Sequence, residues 1–164
     1  MAKKLHQNML ESLFDSLIYD GRVVINNAAQ TTDLRHPVVS GNMRDAYGAA
    51  VYYNGKIVRK AYYNNRPISK GAHKGWDKRG YESDTGRGYL DKFFESYEPE
   101  STLCLVCVNA VYYTAILEDG TQGRPQVDIS TKYHIISQTM TDMADLQKKY
   151  RGSKLGRITY WNER

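Results

Sequence analysis

Ala49-Ala50-Val51-Tyr52-Tyr53-Asn54-Gly55-Lys56-Ile57-Val58-Arg59-Lys60-Ala61-Tyr62-Tyr63 is the stretch on which the fold turns. Asn-Gly is favoured in a two-residue type I′ turn, because both central residues of that turn take positive φ. The flanking runs 49–53 and 56–63 carry Ala50, Tyr52, Ile57 and Tyr62, residues compatible with a pleated surface. Together they read as an antiparallel β-hairpin. The chain on either side must supply what covers it.

Upstream lies the clearest periodic segment. Leu5, Met9, Leu10, Leu13, Phe14, Leu17 and Ile18 recur at three- and four-residue steps, followed by Val24, Ile25, Ala28 and Ala29. That pattern predicts one apolar stripe on an amphipathic helix over about 4–30, with Gly21 as its weak point. Thr31-Thr32-Asp33 and His36-Pro37 are expected to end it. A helix of this length in a small domain either packs along a sheet or is shared with a neighbour. Ser40-Gly41-Asn42 then offers a cap for a short turn over 43–47.

Downstream, residues 64–88 have no period and contain Asn64, Asn65, Pro67, Gly71, Gly75, Gly80, Gly86 and Gly88. They read as a mobile, basic, glycine-rich loop, and loops of that length in compact domains are usually functional. Tyr89 to Tyr97 reads as a helix with Leu90, Phe93, Phe94 and Tyr97 on one face, stopped by Pro99. A buried strand is expected over 102–109, then an aromatic-rich turn to Gly120 and a loop through Gly123 and Pro125. Ile129, Tyr133, Ile136, Met140, Met143 and Leu146 predict a second long helix over 130–150, closed by Gly152. Residues 155–161 suit a last short strand. The expected architecture is a single α+β domain over 1–164: a small mixed or antiparallel sheet packed by a long N-terminal and a long C-terminal helix.

A length of 164 residues suits one domain with a real core. No run of about eighteen apolar residues spans a membrane. No apolar segment follows the Met1-Ala2-Lys3-Lys4 start, which is the pattern expected of a cytoplasmic chain. The net charge of +5 is unevenly spread. Residues 56–88 hold nine basic and three acidic side chains, whereas residues 89–120 hold one basic and six acidic. Opposite-signed patches on one subunit suit head-to-tail contacts between copies, which close into rings when the rotation allows.

The motifs of catalysis and cofactor binding are missing from the sequence. His6, His36, His73 and His134 form neither H-x-x-x-H nor H-E-x-x-H, and there is no G-x-S-x-G elbow or Walker-type phosphate loop. Cys104 and Cys107 have C-x-x-C spacing, but Leu103, Leu105, Val106 and Val108 around them mark a strand, in which positions three apart face opposite ways. Asp77, Glu82 and Asp84 in the glycine-rich loop lack the rigid frame that a divalent ion requires. No catalytic, cofactor or metal residue is therefore expected. The stronger rival is a sequence-independent nucleic-acid-binding accessory domain. The 56–88 block mixes lysine and arginine with Tyr62, Tyr63, Trp76 and Tyr81, a combination able to track phosphates and stack bases. Lys70, Lys74, Trp76, Lys78 and Arg79 of this block are interface candidates, whether the partner is nucleic acid or protein.

Two stretches resemble, as a pair, the head–tail connector and tail-completion (neck) proteins of tailed bacteriophages. Ser40-Gly41-Asn42-Met43-Arg44 is similar to that family's T/S-G-N-L-R element, which follows a long N-terminal helix and opens the first strands. The run Asn109-Ala110-Val111-Tyr112-Tyr113-Thr114-Ala115-Ile116-Leu117-Glu118-Asp119-Gly120 resembles the family's A-x-Y-A-x-x-V-E-x-G-T element, where a strand passes into a turn that meets the next subunit. The 64–88 loop and the 89–97 helix look like an insertion between the two. The resemblance implies a structural virion protein without catalysis or cofactor, assembled in the bacterial cytoplasm into a ring of six or twelve copies. It also implies contacts with portal or connector and tail-tube proteins and with packaged DNA. Arg44, Tyr112, Tyr113 and Glu118 are the interface residues it suggests.

Overall fold

The computed structural model describes residues 2–35, 46–63, 85–110 and 135–155. Six elements follow in chain order: α1 (Ala2–Arg35), β1 (Tyr47–Tyr53), β2 (Lys56–Tyr62), α2 (Thr85–Ser96), β3 (Leu103–Asn109) and α3 (Ile135–Lys149). The strands form an antiparallel sheet in the order β2-β1-β3. This is the expected α+β class, with the sheet antiparallel among the described strands.

The hairpin closes as its dipeptide dictates. Asn54 and Gly55 have φ of 50° and 74°, the double left-handed step of a type I′ turn. Asn54 tolerates that backbone and glycine adopts it without a Cβ penalty. β1 begins at Tyr47, two residues before the expected start. Tyr47 pairs with Asn109, and its carbonyl accepts the Tyr63 amide at 3.1 Å, so the ladder reaches into the segment read as a turn.

β2 carries a bulge that the alternation pattern does not reveal. Val51 pairs with Arg59, but Tyr52 pairs with Ile57, which leaves Val58 as the extra residue. The inserted residue resets which face each side chain takes. Ile57 therefore joins the cluster under α2, while Val58 packs on the α1 side.

β1 is the buried middle of three layers. On one face, Tyr47, Ala49 and Val51 pack with Phe14, Leu17, Ile18, Ile25 and Ala28 of α1. On the other, Ala50 and Tyr52 pack with Leu90, Phe93 and Phe94 of α2. Small residues allow both helices to come close. A Cβ at Gly21 of α1 would lie 3.0 Å from Ala49 Cβ, and one at Gly48 would lie 3.0 Å from Leu90 Cδ2. Gly21 is thus a docking point on the sheet, and the helix passes through it unbroken.

The helices also differ from expectation in extent. α1 continues through Thr31-Thr32-Asp33 to Arg35, the last described residue before the His36-Pro37 pair expected to end it. α2 begins at Thr85, so residues 85–88 of the expected loop are helical. Burial of Leu90, Phe93 and Phe94 stabilises the whole helix and carries its glycine-containing first turn. The rest of that loop, 64–84, lies outside the described residues, as does most of the segment read as a last strand. Leu155, its first residue, is not in a strand. α3 ends where predicted, with Gly152 at φ 81° and the Ser153 amide donating to the Tyr150 carbonyl at 3.2 Å.

Candidate assembly surface

α1 has two apolar faces, not one. Successive helical residues turn by about 100°, so residues four and three apart stack along a line. Phe14, Leu17, Ile18, Val24, Ile25 and Ala28 face the sheet and are buried. Leu5 and Met9, read from the sequence as part of that stripe, do not belong to it. They are 65% exposed, on the same outer face as Tyr19 (64%) and Val23 (44%). A shallow groove lined by Asn8, Met9, Ser12, Leu13 and Ser16 runs beside them. These four make the outer face of α1 the candidate contact surface among the described residues.

A polar cluster around the buried Asp20 carboxylate joins α1 to α3. Asp20, 6% exposed, lies on the side of α1 that meets α3. Lys149 Nζ donates to both of its carboxylate oxygens at 3.0 and 2.7 Å, and Tyr150 Oη donates to Oδ2 at 2.5 Å. Tyr150 Oη also lies 2.9 Å from Ser16 Oγ. Burial first, and then the hydrogen bond to Asp20, push the Tyr150 hydroxyl up, while the same carboxylate raises Lys149. The cluster clamps the end of α3 against the middle of α1. The sequence does contain its signal: Asp20 interrupts the steps Leu13, Leu17, Asp20, Val24, where an apolar residue is due.

Ion pairs account for part of the basic block. Arg59 bridges to Glu11 at 2.6 Å and to Asp15 at 2.7 Å across the α1 face, and Lys60 pairs with Asp91 of α2 at 3.2 Å on the other. Tyr62 Oη also donates to Asp91. Arg59 and Lys60 are therefore engaged within the fold rather than presented to a phosphate backbone. Exposed charge of opposite sign lies elsewhere. Glu95, Glu98 and Glu100 sit at and beyond the end of α2, and Arg151 and Lys154 beyond the end of α3, where Lys148 is paired with Asp145 at 2.7 Å. The first group follows the helix on one face of the sheet, and the second follows the helix that packs beside α1 on the opposite face.

The paired cysteines behave as strand residues. Cys104 packs on the α2 side and Cys107 on the α1 side. Cys107 Sγ lies 3.8 Å from Met143 Sδ, and this enclosure, with a smaller effect from Cys104, pushes its thiol up to about 12. It stays protonated at neutral pH, the state of an inert packed thiol. Among the described residues no group of His, Cys, Asp or Glu could hold a metal ion, and no helix is long and apolar enough to cross a membrane.

The residues singled out from the sequence, Arg44, Lys70, Lys74, Trp76, Lys78, Arg79, Tyr112, Tyr113 and Glu118, all lie outside the described residues. So do Asp77, Glu82 and Asp84. The surface described above is carried by Leu5, Met9, Tyr19 and Val23. Its signal in the sequence was present but ambiguous, because a helix with apolar residues on two faces gives overlapping three- and four-residue steps. No family model, no curated protein and no solved structure matches this chain.

Proposed function

We propose that this chain is a structural virion protein of a tailed bacteriophage, forming a homo-oligomeric ring at the head-to-tail junction or the top of the tail. It works by fitting against copies of itself and against stacked neighbours, without a bond-making site of its own. The observation that carries this reading is the order of elements around two motifs. A long helix precedes Ser40-Gly41-Asn42-Met43-Arg44, a hairpin follows it, and β3 ends at Asn109, where the Asn109–Gly120 motif begins. The exposed apolar row on α1 and the separated groups of acidic and basic side chains support it, since a ring subunit needs adhesive and complementary surfaces. The pairing of Arg59 and Lys60 with carboxylates weighs against a nucleic-acid-binding role for that part of the basic block.

The test is to count this chain in purified particles by quantitative mass spectrometry and to locate it by imaging of the neck and tail. The expected result is a fixed copy number of six or twelve at the junction. Absence from every capsid–tail assembly, or turnover of a substrate by the free chain, would refute the proposal.

A further inference from the structure

α3 occupies only part of the track it follows on α1. The two helices run antiparallel: Asn27 Nδ2 donates to Asp142 at 3.4 Å, Asp20 meets Lys149, and Ser16 Oγ lies 2.9 Å from Tyr150 Oη. At about 100° per residue, Ser16, Asp20 and Asn27 fall within about 40° of one another around α1. Met9 falls in the same sector, and Leu5 about 20° beyond it. The groove lined by Asn8, Met9, Ser12, Leu13 and Ser16 is therefore the continuation of the seat of α3 toward the start of α1. α3 ends at Lys149, level with the Ser16–Asp20 turn, and Leu5 and Met9 lie exposed ahead of its end.

The chain leaves α3 at this same place. Beyond Leu155 come residues 156–164, which carry Ile158, Tyr160 and Trp161, three large side chains within four residues. The other segments outside the described residues are joined to the fold elsewhere. β1 runs antiparallel to α1, with Tyr53 against Phe14 and Ala49 beneath Gly21, so its Tyr47 end lies toward the later half of α1. Arg35 ends that half, Ala46 and Ala110 are bonded to each other there at 3.1 Å, and the Tyr63 amide donates to Tyr47. Ile135 precedes the Asn27–Asp142 contact, and Thr85 starts the helix on the opposite face of the sheet. Residues 156–164 alone depart beside the open groove. We infer that they run on along α1 in the direction α3 has set, and seat their large side chains in the groove over Leu13, Met9 and Leu5.

The reach is sufficient. From Ser16 to Leu5 the open track runs about 16 Å, at about 1.5 Å per residue, whereas nine extended residues span about 30 Å at about 3.3 Å each. A groove this small is too slight to hold a free partner firmly, but a segment tethered at its edge is already at high effective concentration and gives up no translational freedom on docking. Tyr19 and Val23 lie beside α3 rather than ahead of its end, so they stay open to other subunits. The docking of 156–164 stands or falls separately from the ring proposal.

The experiment introduces one cysteine at a time on α1 of the full chain and follows its alkylation by iodoacetamide, with peptide mass spectrometry separating it from Cys104 and Cys107. The thiol of Ser12→Cys, in the groove, should react several-fold more slowly than that of Tyr19→Cys, outside it. Adding Ile158→Asp and Trp161→Asp should speed the first several-fold and leave the second unchanged. A second measurement places the segment directly: Thr159→Cys combined with Met9→Cys or with Ser12→Cys should oxidise to a disulfide within one chain, and combined with Tyr19→Cys should not. Met9→Cys carries both measurements should Ser12→Cys fail to fold. A groove cysteine that reacts as fast as Tyr19→Cys, a rate indifferent to the two aspartates, or no disulfide to Thr159→Cys would each overturn the inference. So would a disulfide that links two chains, which would make the occupant a second copy.

Discussion

Replacing Gly21 with alanine sets two well-characterised effects against each other. In an isolated helix the change is favourable by about 0.8–1.0 kcal/mol, because glycine loses the most backbone freedom on becoming helical. In this fold the new Cβ would lie 3.0 Å from Ala49 Cβ and 3.0 Å from Leu105 Cδ1, inside the ordinary carbon contact of about 3.5–4.0 Å. Leu105 can rotate a methyl away. Ala49 cannot, because its Cβ is fixed to the central strand, which is paired on both sides. Overpacking of this kind costs about 1–3 kcal/mol, so Gly21→Ala should destabilise by about 1 kcal/mol net. Urea unfolding followed by far-ultraviolet circular dichroism measures this directly, as a lower midpoint with an unchanged slope. The double-mutant cycle with Ala49→Gly isolates the contact from the helical gain and should return a coupling of about 1–3 kcal/mol, the overpacking cost itself. If Gly21→Ala instead stabilises by the full helical gain, or the coupling is zero, the helix does not approach the sheet as described.

Two further outcomes follow from the polar clusters. Asp20→Ala removes the acceptor shared by Lys149 and Tyr150, and should cost about 1–3 kcal/mol, with Asp20→Asn milder. An unchanged unfolding midpoint would show that the cluster does not clamp α3. Alkaline pH should also destabilise the fold. Burial raises Tyr52, Tyr62, Tyr97 and Tyr150 above the ordinary tyrosine value of 10.0. The folded state thus holds protons that the unfolded chain releases, so stability is full below pH 10 and lost as pH rises through the folded values. Tyr52 is fully buried and its hydroxyl donates to the Phe94 carbonyl at 2.9 Å, so Tyr52→Phe should make the decline between about pH 10 and 12 shallower. A decline as steep as that of the parent chain would contradict this assignment.

Local chemistry alone determined several features of this protein. Asn54-Gly55 required a tight hairpin because few residues take two successive left-handed conformations, and the structure places the turn there. The helices and the strand at 103–109 followed from apolar period, and the opposite facing of Cys104 and Cys107 followed from the alternation of a strand. Other features depended on what each segment packs against. Gly21 reads as a flaw in a helix until Ala49 and Leu105 are seen beneath it. The bulge at Val58 is invisible in composition, because it is defined by a partner strand. Leu5 and Met9 share a periodicity with the buried stripe, and only the position of the sheet shows that they face away from it. Asp20 shows in one dimension only as a break in the apolar steps; that it centres a clamp appears in three, since its partners are more than a hundred residues away in the chain. Periodicity specifies which residues share a face of an element, but only tertiary packing decides which face is buried, because burial depends on the surface that arrives from elsewhere in the chain.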